Sequence, residues 1–171
     1  MRPMITPAQR PYLFLDVDGP LIPFGGPDGH PTYGAPDTET ANPLLNRLNP
    51  AYGPRLARFS HSCDLVWATT WMADANECLA PRLGLPELPV LDWPEQPDED
   101  ERAGLHWKTR ALLAHAAGRP FIWLDDEITE IDRTWVSAHT GARALLHRVD
   151  PRRGLTDADF TVVEEWLRAA G

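Results

Sequence analysis

The sequence predicts an α/β protein: a doubly wound, Rossmann-like parallel sheet of five strands with helices on both faces. Three observations predict it. Short, unbroken apolar runs recur at residues 12–15 (YLFL), 65–68 (LVWA) and 121–124 (FIWL), each followed by polar residues. Runs without alternation suit strands buried on both faces of a parallel sheet. Between them lie stretches of helix formers long enough to serve as crossovers. The chain has 171 residues and no internal repeat or linker, so one domain with a sizeable core is expected over residues 1–171.

Residues 1–11 are Pro-rich and are expected to form a loosely ordered arm. The first strand follows, and residues 12–21 read YLFLDVDGPL. The apolar run leads straight into Asp16 and Asp18, with Gly19 next. Strands of such sheets carry their chemistry at the carboxyl end. Two acids one residue apart repel unless a cation separates them, so a cation site or a catalytic role is one reading. The other is an ordinary strand exit, because Asp makes Asx-turns and Gly accepts positive φ. Residues 22–41 are crowded with Gly and Pro in their first two thirds and read as a flap or loop beside the carboxylates, either a moving cover or an inert excursion.

Asn42-Pro43 opens a helix with a cap and a first-turn proline, and Leu44, Leu45 and Leu48 supply its apolar stripe. Residues 54–61 add a short helical piece. The second strand, 65–68, ends in Thr69 and Thr70. A helix over 73–83, with Asn76, Leu79 and Leu83 at helical spacing, is closed by Gly84. Residues 88–93 (LPVLDW) read as a short third strand, and 94–101 (PEQPDEDE) as a solvated acidic loop. A helix over 106–117 carries Lys108 near its start. The fourth strand, 121–124, ends in Asp125, Asp126 and Glu127. A helix over 128–138, a fifth strand over 143–149 and a closing helix over 156–170, capped by Thr156, complete the chain. Neither 22–41 nor 94–101 is large enough for a folded cap domain.

Composition narrows the function classes. Apolar content of 43% and charged content of 24% are those of an ordinary globular protein. A net charge of −9 argues against broad, non-specific binding to nucleic acid or anionic membrane, and leaves room for a local basic patch. Cys63 and Cys78 have no metal-like spacing, so a disulfide framework is not expected. No apolar run is long enough to cross a membrane, and MRPMITPAQRP holds no signal-peptide core. A cytoplasmic protein without membrane contact or an obligate protein partner is expected.

Four strand ends or helix starts carry polar groups: Asp16 and Asp18, Thr69 with Thr70, Lys108, and Asp125 with Asp126. In a parallel sheet they can converge on one edge. Phosphoryl transfer uses such a set. One carboxylate attacks phosphorus to form an aspartyl-phosphate. A second protonates the leaving oxygen and then activates water. Mg2+ takes hard oxygens, which Asp16, Asp125 or Asp126 and the Asp18 carbonyl supply. Thr69 and Lys108 would hold the phosphoryl oxygens.

These motifs resemble the haloacid dehalogenase (HAD) superfamily of aspartyl-phosphate phosphatases. LFLDVDGPL is similar to its first motif, LVWATT to its second, Lys108 to its third and FIWLDDE to its fourth, in the family's order. The matched framework covers residues 12 to about 150. The resemblance implies Asp16 as nucleophile, Asp18 as general acid/base, Thr69, Thr70 and Lys108 as phosphate ligands, and Mg2+ held by Asp16, Asp18, Asp125 and Asp126. WATTWMADAN, HWKT, WLDDE and RVDPRRGLTDADF are similar to a subgroup of small HAD domains associated with RNA-repair proteins. A capless site in this family implies an open cleft, a bulky or macromolecular substrate, and a phosphorylated nucleic-acid end as one candidate. One departure stands out: Pro20 replaces the usual Thr or Val, which removes a backbone N–H beside the nucleophile.

Each residue also has a plainer reading. Thr69 and Thr70 could satisfy backbone at a strand end, Lys108 could be an exposed lysine, and Asp126 could cap the helix after it. Asp132 is either an extra acid near the site or, on the plainer view, a solvated helix position. Five tryptophans (Trp67, Trp71, Trp93, Trp107 and Trp123) read mostly as core, with Trp71 and Trp107 flanking the motifs. Two other functions fit the same scaffold: another phosphotransferase, or a non-catalytic binding module, to which Pro20 points.

Overall fold

The structure, a computed structural model, describes residues 10–33 and 42–169. Residues 1–9 of the expected arm and 34–41 of the expected flap lie outside the described residues.

Four strands form one parallel sheet: β1 (Tyr12–Leu15), β2 (Asp64–Trp67), β3 (Phe121–Asp125) and β4 (Ala144–Arg148), in the order β2-β1-β3-β4. Tyr12 pairs with Asp64 on one side and Phe121 on the other, so β2, β1 and β3 start level. β1 thus lies inside the sheet, which is why its run is unbroken and apolar. Alternate residues serve opposite faces. Leu13, Leu15, Leu65, Trp67, Ile122 and Leu124 face one core. Helices α1 (Tyr52–Phe59), α2 (Ala80–Leu83) and α6 (Asp157–Ala169) cover it through Leu56, Phe59, Leu83, Phe160 and Val163. Phe14, Val66 and Trp123 face the other core, covered by α4 (Thr109–Ala116) and α5 (Glu130–His139) through Leu112, Ala116 and Val136. The α/β class and the two-sided cover match the expectation.

The expected five strands are four. Residues 88–93 make a single parallel bridge, Val90 to Trp67, through Trp67 N to the Pro89 carbonyl at 2.9 Å and Leu91 N to the Trp67 carbonyl at 3.0 Å. Pro86, Pro89 and Pro94 break any longer ladder, since proline has no N–H to give. Asn76 takes over part of the pairing. Its Oδ1 accepts from Trp67 Nε1 and Leu88 N, both at 2.8 Å, and its Nδ2 donates to the Leu88 carbonyl at 2.7 Å. The expected helix over 73–83 is a π turn, Ala75–Leu79, running into α2. Pro81 lies one turn on and cannot donate to a carbonyl behind it. The opening helix after Asn42 is a 3-10 turn, Pro43–Arg47, with the Asn42 side chain accepting from Leu44 N at 3.0 Å.

The acidic stretch is not wholly solvated. Asp98–Arg102 forms a short helix, α3, with Asp98, Glu99, Asp100 and Glu101 in its first turn, where acids favour the helix dipole. Asp100 is buried and takes Arg110 in two bonds, at 2.6 and 2.8 Å. Asp126 does not cap α5; Thr129 does, in a reciprocal box with Asp132. Among the described residues no insertion folds as a separate unit, and no helix is long and apolar enough to cross a membrane.

Candidate active site

The four chemistry-bearing segments meet at the carboxyl edge of the sheet. β1 delivers Asp16, whose N–H bonds the Leu124 carbonyl at 3.1 Å and so fixes it beside β3. β3 delivers Asp125, 1% exposed, and Asp126 follows at 8%. One carboxylate oxygen from each of Asp16, Asp125 and Asp126 lies within 4.8 Å of the others. Lys108, 3% exposed, reaches them from the turn before α4. Its Nζ stands 2.7 Å from Asp125 Oδ2, 3.1 Å from Asp16 Oδ1 and 2.9 Å from the Ala68 carbonyl, all of which accept. The plainer reading of Lys108 as an exposed lysine is therefore overturned.

Two of the three buried carboxylates, Asp16 and Asp125, share the one ammonium. Burial, and then the Asp125 charge, push the Asp16 carboxyl well above the usual range despite the opposing pull of Lys108. The same two causes push Asp126 up to about 6. Burial alone would lower the Lys108 ammonium, but Asp16 and Asp125 outweigh it and hold the charge more firmly. Three carboxylates stand against one ammonium, and their hard oxygens, within 4.8 Å of one another, are donors that fit a divalent metal ion. Asp18 stands half-buried at the rim, outside that cluster, with Trp71 Nε1 donating to its Oδ2 at 3.2 Å.

Gly19 explains why the turn can pass so close. Its φ is +100°, and a Cβ there would lie 2.8 Å from Asp126 Cβ and Cγ. Only glycine fits both limits. Beyond it, Leu21 N and Ile22 N both donate to the Val17 carbonyl at 3.0 Å, so Pro20 sits inside one tight turn, and its own carbonyl accepts from Leu155 N at 2.8 Å.

Thr69 ends β2 fully buried. Its hydroxyl oxygen accepts from Trp71 N at 3.2 Å, which leaves the O–H to donate elsewhere, and its carbonyl accepts from Trp93 Nε1 at 3.0 Å. Thr70 is exposed, and among the described residues no hydrogen bond joins it to the acid cluster. Two of the tryptophans read as core thus hold motif residues in place. Lys108 Nζ also lies 5.4 Å from the Trp107 ring centre and 5.9 Å from that of Trp93.

Asp132 belongs to neither of the roles expected for it. It is 0% exposed and works as a hub. Oδ1 accepts from His106 N and Thr109 Oγ1, both at 2.8 Å, and Oδ2 accepts from Thr129 N at 2.9 Å and Thr129 Oγ1 at 3.0 Å. It pins the turn that carries Lys108 to the start of α5. Thr129-x-x-Asp132 has the spacing of a capping box, and that spacing is the signal in the sequence that locates it.

The family model for the HAD domain in Swiss Army Knife RNA repair proteins matches residues 12–160. The chain belongs to that family. No solved structure matches it.

Proposed function

We propose that this HAD domain is a Mg2+-dependent phosphomonoester hydrolase working through an aspartyl-phosphate, with a nucleic-acid end as its substrate. The observation that carries the proposal is the convergence, at one sheet edge, of carboxylate oxygens of Asp16, Asp125 and Asp126 within 4.8 Å of one another, with Lys108 paired to Asp16 and Asp125. Family membership supports phosphatase-type hydrolysis, and the family's RNA-repair context supports a nucleic-acid-related substrate.

In this reading Asp16 is the nucleophile. Its carboxylate oxygen attacks phosphorus, and the bond to the ester oxygen breaks. Asp18 gives its proton to that leaving oxygen, then takes one from the water that hydrolyses the acyl phosphate. The Trp71 indole orients Asp18 for both transfers. Lys108 and the free O–H of Thr69 bind phosphoryl oxygens, with Thr70 at the rim. Asp16, Asp125, Asp126 and the Asp18 carbonyl would hold Mg2+, which when bound offsets the charge of the phosphoryl group and of the carboxylates. The second reading, a non-catalytic binding module, rests on Pro20, which offers no N–H to a phosphoryl oxygen.

Hydrolysis of p-nitrophenyl phosphate separates the two. The account expects turnover with Mg2+, abolished by EDTA, and lowered on the order of a thousandfold or more by Asp16→Asn, as for loss of a nucleophile. A rate unchanged by Asp16→Asn sinks the assignment of Asp16. Bound Mg2+ with no turnover on this substrate or on phosphorylated oligonucleotides favours the binding module.

A further inference from the structure

The end of β4 and the turn after it carry an arginine cluster on the rim of the site. Arg148, Arg152 and Arg153 are all exposed, and among the described residues none of their guanidiniums has a carboxylate partner. In a chain of net charge −9 that is unusual company. The neighbouring acid, Asp150, turns its Oδ1 to the backbone N of Arg152, at 2.9 Å.

The cluster is strapped to the site rather than merely near it in sequence. Val149 N bonds the Asp125 carbonyl at 3.0 Å, and Arg148 Nε donates to the Asp126 carbonyl, also at 3.0 Å. Gly154 packs so closely that a Cβ would stand 3.0 Å from the Pro20 carbonyl oxygen. Phe24 N donates to the Pro151 carbonyl at 2.7 Å, and the Arg152 stem lies over Gly26, its Cδ 3.6 Å from where a Cβ would be. Phe24 itself is 43% exposed, one of the few large apolar side chains that are. Two neighbouring, backbone-bonded segments thus carry exposed guanidiniums and an exposed aromatic side chain, the two kinds of group that single-stranded nucleic acid uses, phosphates on cations and bases on rings.

We propose that Phe24, Arg148, Arg152 and Arg153 form a docking surface for a single nucleic-acid strand whose terminal phosphate lies at Asp16. The assignment of the phosphate to Asp16 rests on the hydrolase reading above; the docking surface is separately measurable.

The test is fluorescence anisotropy of a labelled single-stranded oligonucleotide with a terminal phosphate, as RNA and as DNA, across a KCl series. Wild type, Phe24→Ala and the double variant Arg152→Glu/Arg153→Glu are compared. The double variant should weaken binding at least tenfold, and losing two phosphate contacts should flatten the slope of log K against log salt by about 1.4. Phe24→Ala should weaken binding without changing that slope. On turnover, the ratio of kcat/KM for the oligonucleotide to that for p-nitrophenyl phosphate should fall at least tenfold in the double variant. Unchanged affinity and slope overturn the docking surface, and so does equal loss on both substrates. A phosphopeptide of matched charge bound as tightly as the strand overturns nucleic acid as its occupant. Strand binding that shows these losses, with no turnover of either substrate by wild type, keeps the surface and removes the hydrolase reading.

Discussion

At the scale of single residues, the site depends on a position without a side chain. Gly19 combines a left-handed φ of +100° with a position where any Cβ would lie 2.8 Å from Asp126. Gly19→Ala should cost about 1–3 kcal/mol through strain and overpacking. It should also displace Asp126, so Mg2+ affinity measured by calorimetry should fall together with the melting temperature. A variant that melts lower but binds Mg2+ as wild type does would separate the turn from the acid cluster. Asp16, Asp125 and Asp126, which the structure brings together, were legible in the sequence because acids directly after unbroken apolar strands stand out, whereas Asp18 falls outside their cluster. Their helpers were not. Trp71 on Asp18 and Trp93 on the Thr69 carbonyl act through contacts that no local spacing of Trp encodes, and the capping-box spacing that marks Asp132 does not show its long-range bonds to His106 N and Thr109 Oγ1.

At the scale of elements, the apolar runs placed β1, β2 and β3 within a residue of where they lie, since strands buried on both faces leave a plain signature. The edge was harder. Residues 88–93 have strand-like composition, but their prolines admit one bridge, and the Asn76 side chain supplies bonds that a ladder would have made. The acidic stretch departs from its expected solvation for a similar reason: whether Asp100 is solvated depends on Arg110, which arrives from another helix. Helix packing has its own silent requirement. A Cβ at Gly53 in α1 would lie 1.8 Å from the Leu83 carbonyl oxygen at the end of α2. Gly53→Ala therefore has to push the two helices apart, and chemical denaturation should show a loss of about 3 kcal/mol or more. A loss below about 0.5 kcal/mol, the level of a surface substitution, would contradict this close approach.

At the scale of the whole molecule, one half-buried ionic junction ties three separate segments together. Asp64 at the start of β2 accepts from Arg10 Nε at 2.7 Å and from Arg119 Nη2 at 2.8 Å, and Arg119 also bonds the Arg10 carbonyl. Burial pulls the Asp64 carboxyl upward, but the two guanidiniums outweigh it and hold it below its ordinary value. A depressed folded-state value stabilises the fold above the unfolded value and loses that effect as pH falls through the folded one. The melting difference between wild type and Asp64→Asn should thus be level from pH 7 to pH 5 and close below about pH 4, the range of a free Asp. A difference independent of pH would assign the junction to shape rather than charge.

The central claim is that the carboxylate at the end of β1 takes the phosphoryl group. Acid quenching during turnover, followed by mass spectrometry of the peptide containing Asp16, tests it most directly. Asp18→Asn is included because it should slow hydrolysis of the intermediate and let it accumulate. The account predicts one phosphoryl group on Asp16, enriched in Asp18→Asn and absent from Asp16→Asn. Turnover with the phosphoryl group on another residue, or with none trapped even in Asp18→Asn, would contradict it.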